Sequence, residues 1–68
     1  MNTTPKHPEI TVQLTGIDGN AFSIIGLVRR ALRRAGVSAD EIQEFVEEAT
    51  SGDYDNVFIT AMNWVEAD

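Results

Sequence analysis

The chain has 68 residues, no cysteine and a formal charge of −6 at neutral pH. That length accommodates a single domain, and the lack of cysteine excludes disulfides, thiolate metal sites and cysteine nucleophiles. No apolar run approaches the roughly 20 residues that cross a bilayer, and no basic stretch leads into an apolar one as in a targeting segment, so no membrane partner and a cytoplasmic location are expected.

The distribution of charge says more than its sum. All four arginines, Arg29, Arg30, Arg33 and Arg34, fall within six residues, and from Ala35 onward there are nine acids and no base. A domain this short buries only about 60% of the surface that its unfolded chain exposes. Without a disulfide it gains from a partner chain, and self-association, as a homodimer for instance, is one expectation.

Residues 1–9 read as a flexible N-terminal arm, since Pro5 and Pro8 oppose a helix and favour extended backbone. The only histidine, His7, lies in this arm with no second histidine to pair with. Ile10 to Thr15 alternates apolar and polar residues and is rich in β-branched side chains, which predicts a half-buried strand. Gly16-Ile17-Asp18-Gly19 then breaks the pattern with a turn signal.

Asn20 is a suitable N-cap for a helix over residues 21–35. At about 100° per residue, Ala21, Ile24, Ile25, Val28, Ala31, Leu32 and Ala35 share one face and the arginines lie opposite. Gly36 is the expected left-handed stop. Gly26, in mid-helix, costs about 1 kcal/mol relative to alanine; it marks either a close backbone approach or a tolerated weakness.

Ser38-Ala39-Asp40-Glu41 is a capping box, with Val37 and Ile42 as its hydrophobic staple. It opens a second helix whose apolar face is Ile42, Phe45, Val46 and Ala49, with Asp40, Glu41, Glu44, Glu47 and Glu48 on the other side and Gly52 ending it. Asp53 caps a third helix, in which Tyr54, Val57, Phe58, Ala61, Met62 and Val65 follow the i, i+3, i+4 pattern. The rival for Val57 to Thr60 is a strand, because the segment is strongly β-prone. If it is a helix, the strand at 10–15 has no partner within the chain, and it pairs with a symmetry mate or another protein, or lies hydrated over the helices.

The expected fold is therefore α+β and mainly helical: one short N-terminal strand followed by three short helices around a single small core, spanning residues 10–68. Trp64, Tyr54, Phe45 and Phe58 fall at helical spacing and are core candidates; Trp64, at the edge of its stripe, is also a candidate, with Ile59 and Phe22 outside theirs, for an exposed apolar patch.

Catalytic equipment is absent from the pattern. Ser23, Ser38 and Ser51 have no nearby base, no glycine-rich phosphate loop occurs, and the carboxylate pairs share one solvent-facing helix side. Asp18-Gly19-Asn20 and Asp53-Tyr54-Asp55-Asn56 do not complete the ligand spacing of a calcium loop and read as helix caps. No cofactor, no metal and no enzyme activity are expected. The candidate interaction residues are Arg29, Arg30, Arg33 and Arg34 with Glu41, Glu44 and Glu48, in a non-catalytic module that binds a protein partner or itself. The alternatives are nucleic-acid binding through the arginine face, disfavoured by the acidic chain and the lack of interleaved aromatics, and an acidic mimic of nucleic acid.

Asp18-Gly19-Asn20-Ala21-Phe22, the Ala-Leu-Arg-Arg-Ala-Gly run ending at Gly36, and Glu48-Ala49-Thr50-Ser51-Gly52-Asp53-Tyr54-Asp55 together resemble a group of small uncharacterised proteins from bacterial and phage genomes. The resemblance covers most of the chain after the arm. It implies a phage or mobile-element accessory protein in which the Gly-Asp-Tyr-Asp turn belongs to the fold, and it transfers no functional residues.

Overall fold

A computed structural model describes residues 5–14 and 20–67. The elements are β1 (His7–Val12), α1 (Ala21–Arg34), α2 (Ala39–Ala49), α3 (Tyr54–Trp64) and β2 (Val65–Ala67). The α+β, mainly helical architecture is as the pattern predicts, with three helices between two strands.

The strand has an internal partner. β1 and β2 form a parallel pair in which His7 lies opposite Val65, Thr11 opposite Glu66 and Val12 opposite Ala67. Parallel strands need a long crossover, and here the three helices supply it. The register slips between His7 and Thr11. Pro8 lies within the slip; it has no N–H to give to a ladder, and a bulge removes that demand.

The pairing also moves the strand's start. His7, Pro8 and Glu9, expected in the arm, belong to β1, and the Lys6 N–H donates to the Asn63 carbonyl at 2.8 Å. Residues 1–4 of that arm, like Thr15 and the turn at 16–19, lie outside the described residues. The predicted alternation holds in the middle of the strand, where Ile10 and Val12 are buried and Thr11 is exposed.

α1 opens with the Asn20 Oδ1 accepting from the Phe22 N–H at 2.8 Å. It closes one residue earlier than predicted in a paired capping motif: Val37 N–H donates to the Leu32 carbonyl and Gly36 N–H to that of Arg33. That geometry needs the left-handed backbone that Gly36 adopts at φ 89°. Ile24, Ile25, Val28 and Leu32 are buried as expected, whereas Ala35 is exposed at the cap. A Cβ on Gly26 would meet nothing within 4 Å, so no described part of this chain approaches it closely and within the fold it is a weakness of the helix.

The capping box of α2 is half made. Ser38 Oγ accepts from the Glu41 N–H at 3.2 Å, but the Glu41 carboxylate turns to His7 instead of back to the cap. At the far end, Asn56 of α3 reaches over and donates its side-chain amide to the carbonyls of Glu48 (2.8 Å) and Ala49 (3.3 Å). The Glu48 carbonyl also accepts from the Ser51 hydroxyl at 2.7 Å, so it is the Ala49 carbonyl that Asn56 keeps from being an orphan of the helix terminus. Asp53 Oδ1 accepts from the Asn56 N–H at 3.1 Å, which confirms this Asp as a cap.

α3 is a helix through Val57 to Thr60, but its buried stripe is turned from the predicted one. Val57, Thr60, Ala61 and Trp64 face the core; Phe58 is half-buried, and Tyr54 and Met62 are exposed. Both stripes contain Val57 and Ala61, and Trp64 decides between them. Its ring packs edge-on against fully buried Phe45, with centroids 5.6 Å apart, and burying that large surface outweighs burying Met62. Val65 is buried as expected, but in β2.

Candidate functional site

The four arginines are exposed on α1, and among the described residues none of them has an ion-pair partner. Helix geometry divides them. Arg29 and Arg33 are one turn apart and about 40° from each other around the axis, while Arg34 lies about 140° from Arg29. Arg29 and Arg33 accordingly form one wall of a groove of about 340 Å³ between the second half of α1 and the first half of α2. Its apolar lining is Val37, Ala39, Ile42 and Val46. Arg30 faces a shallower hollow shared with Gly26, Arg29 and Arg33, and Arg34 borders neither.

A second groove, of about 310 Å³, lies where the start of α1 meets the end of α2 and the start of α3. Ala21, Phe22, Ile25, Ala49, Tyr54 and Val57 are among its lining residues. Phe22 is 80% exposed, as its off-stripe position predicts. Ile59 and Met62 are exposed elsewhere on α3, and Trp64 is buried, which bears out its reading as a core candidate and removes it from the patch.

The three candidate glutamates part company. Glu44 is exposed on the outer side of α2. Glu41 and Glu48 are engaged in a clamp that draws β1, α2 and α3 together. Glu41 Oε2 lies 2.5 Å from His7 Nε2, and Glu48 Oε1 accepts from the Trp64 indole N–H at 3.4 Å. The His7 ring leans on Trp64 with centroids 5.9 Å apart, and Lys6 Nζ stands 4.2 Å from the centroid of the Trp64 ring. On the other side of His7, Nδ1 is 3.7 Å from Glu9 Oε2.

Both ring nitrogens of His7 thus face carboxylates, and no hydroxyl or thiol among the described residues bonds to either. The arrangement can fix the strand to the helices; it does not activate a nucleophile, which requires one within reach of the base. Among the described residues no group of three histidine, cysteine or acidic side chains is placed to hold a metal ion, and no helix is long and apolar enough to cross a membrane. Sequence reasoning missed His7 because its partners are far away in the chain and nothing local marks it.

No family model, no curated protein and no solved structure matches this chain.

Proposed function

We propose that this protein is a non-catalytic interaction module that captures an acidic segment of a partner protein on Arg29 and Arg33. The observation that carries this reading is the pair of exposed guanidinium groups, one helical turn apart, beside an apolar groove floor. Guanidinium forks grip carboxylates with two parallel hydrogen bonds. An adjacent apolar floor excludes water and strengthens such a contact.

A long phosphate backbone suits the site less well. It would have to run over a molecule of net charge −6, past exposed Asp40, Glu44 and Glu47 on the neighbouring helix. Nucleic-acid affinity grows with the number of phosphates neutralised, and this face offers few cations.

Fluorescence anisotropy tests the reading with a labelled poly-glutamate peptide and a labelled poly-thymidine strand, both at low salt. The peptide is expected to bind wild type and to be lost from Arg29→Glu/Arg33→Glu. Binding of the oligonucleotide alone, or peptide binding indifferent to the double substitution, overturns it.

A further inference from the structure

Gly26, Arg29, Arg30 and Arg33 line one hollow of about 260 Å³ on α1. Spacings of three, four and seven residues put all four on one stripe of the helix, within an arc of about 100°. Long side chains on a helix lean toward its N-terminus, over the residues three and four positions before them. Arg29 and Arg30 therefore lean over Gly26, and Arg33 leans over Arg29 and Arg30.

The glycine opens this hollow. It weakens α1, and the described chain makes no use of the space, since a Cβ there would meet no atom within 4 Å. Any other residue at position 26 would put a side chain on the floor that the three arginines border. All three are exposed, and among the described residues none has an ion-pair partner. Three unpaired positive charges thus surround a stretch of bare helix backbone.

The number of charges selects the anion. A carboxylate brings one charge and two oxygens, which a single guanidinium fork satisfies. A phosphodiester in a nucleic-acid backbone also brings one charge and two free oxygens. A phosphomonoester carries about −1.5 to −2 at neutral pH and three acceptor oxygens, enough to engage three guanidinium groups at once.

We infer that the hollow over Gly26 receives a phosphomonoester, carried on a phosphorylated side chain of the partner's acidic segment. The inference rests on the interaction reading above and specifies what that segment carries. Arg29 and Arg33 border both this hollow and the groove against α2. Acids flanking the phosphorylated residue therefore reach the groove while its phosphoryl group lies over Gly26. Arg30 borders this hollow and not the groove, which separates the two roles.

Fluorescence anisotropy on the full chain tests the inference with two labelled peptides, poly-glutamate and the same peptide with one central phosphoserine. The phosphoserine peptide is expected to bind wild type about tenfold more tightly, as for added charge-assisted bonds. Arg30→Gln should cut that advantage to about twofold or less and leave poly-glutamate binding unchanged, because Arg30 takes no part in the groove. Gly26→Ala should cut it likewise, while its melting temperature rises and shows the fold intact. Arg34→Gln, which removes an equal charge outside the hollow, should leave the advantage as it is. No advantage for phosphoserine, an advantage that survives Arg30→Gln or Gly26→Ala, or an equal loss in Arg34→Gln overturns the inference. If poly-glutamate still binds through Arg29 and Arg33 in those cases, the broader interaction reading survives. If poly-glutamate does not bind but the phosphoserine peptide binds through Arg30 and Gly26, the phosphoryl site stands and the broader reading falls.

Discussion

His7 and Glu41, thirty-four positions apart in the chain, meet in a short hydrogen bond that joins β1 to the first turn of α2. Two locally motivated assignments give way to this contact: His7 as part of a loose arm, and Glu41 as the returning half of a capping box. Both side chains are shielded, with 16% and 32% of their surfaces exposed, while the cap itself is served by Ser38 alone.

Removing the bond should cost measurable stability. A hydrogen bond to a charged group contributes about 1.5–3 kcal/mol, and partial exposure lowers that to about 1–2 kcal/mol for His7→Ala. Glu41→Gln keeps the size and loses the charge, so about half of that is expected. Urea unfolding followed by Trp64 emission measures both, since the only tryptophan lies buried against His7 and Phe45. A double-mutant cycle with no coupling between the two positions would contradict the clamp.

The same substitution at two glycines should move stability in opposite directions. Gly26→Ala places a methyl in open space within a helix and removes a poor helix former, so a gain of about 1 kcal/mol is expected. At Gly52 a Cβ would stand 3.0 Å from the Asn56 Cβ. Asn56 cannot yield without disturbing its bonds to the end of α2, so Gly52→Ala should lose about 1 kcal/mol or more. Thermal unfolding of the two variants side by side decides it; a gain at position 52 refutes the tight contact.

Alanine at Met62 and at Trp64 separates the predicted stripe of α3 from the one observed. Met62 is 52% exposed and Trp64 only 2%. Met62→Ala should therefore change stability by about 0.5 kcal/mol or less, and Trp64→Ala should cost about 3–5 kcal/mol. Chemical denaturation followed by circular dichroism suits this pair, because one variant lacks the fluorophore. A large loss at Met62 would restore the stripe that periodicity alone selects.

The parts of the fold legible in the sequence are those fixed within a few residues. Asn20, Ser38 and Asp53 cap helices because each needs only the backbone two or three positions on. Gly36 stops α1 because only its own backbone angle is at issue. What the sequence hid was decided by distant partners. Val65–Ala67 is too short for alternation to register, and becomes a strand because β1 is there to pair with it. Trp64 turns α3 because Phe45 of another helix needs covering. The same holds for the candidate site. The arginine cluster was visible as composition, but its division into a groove-lining pair and outliers depends on where α2 packs.

That division gives the sharpest functional prediction. Arg33→Glu and Arg34→Glu change the charge of the molecule equally, on adjacent exposed residues of α1. If partner binding depended on a diffuse positive field, both would weaken it alike, since long-range potentials sum over all charges. Docking in the groove between α1 and α2 distinguishes them, because Arg33 lines it and Arg34 lies round the helix. Arg33→Glu should weaken binding of the poly-glutamate peptide at least tenfold, as for loss of a direct charged contact. Arg34→Glu should change it by about twofold, the residue of screened Coulomb attraction at physiological salt. Titration calorimetry across a salt series reads both, and equal losses at the two positions would locate recognition in net charge and not in the groove.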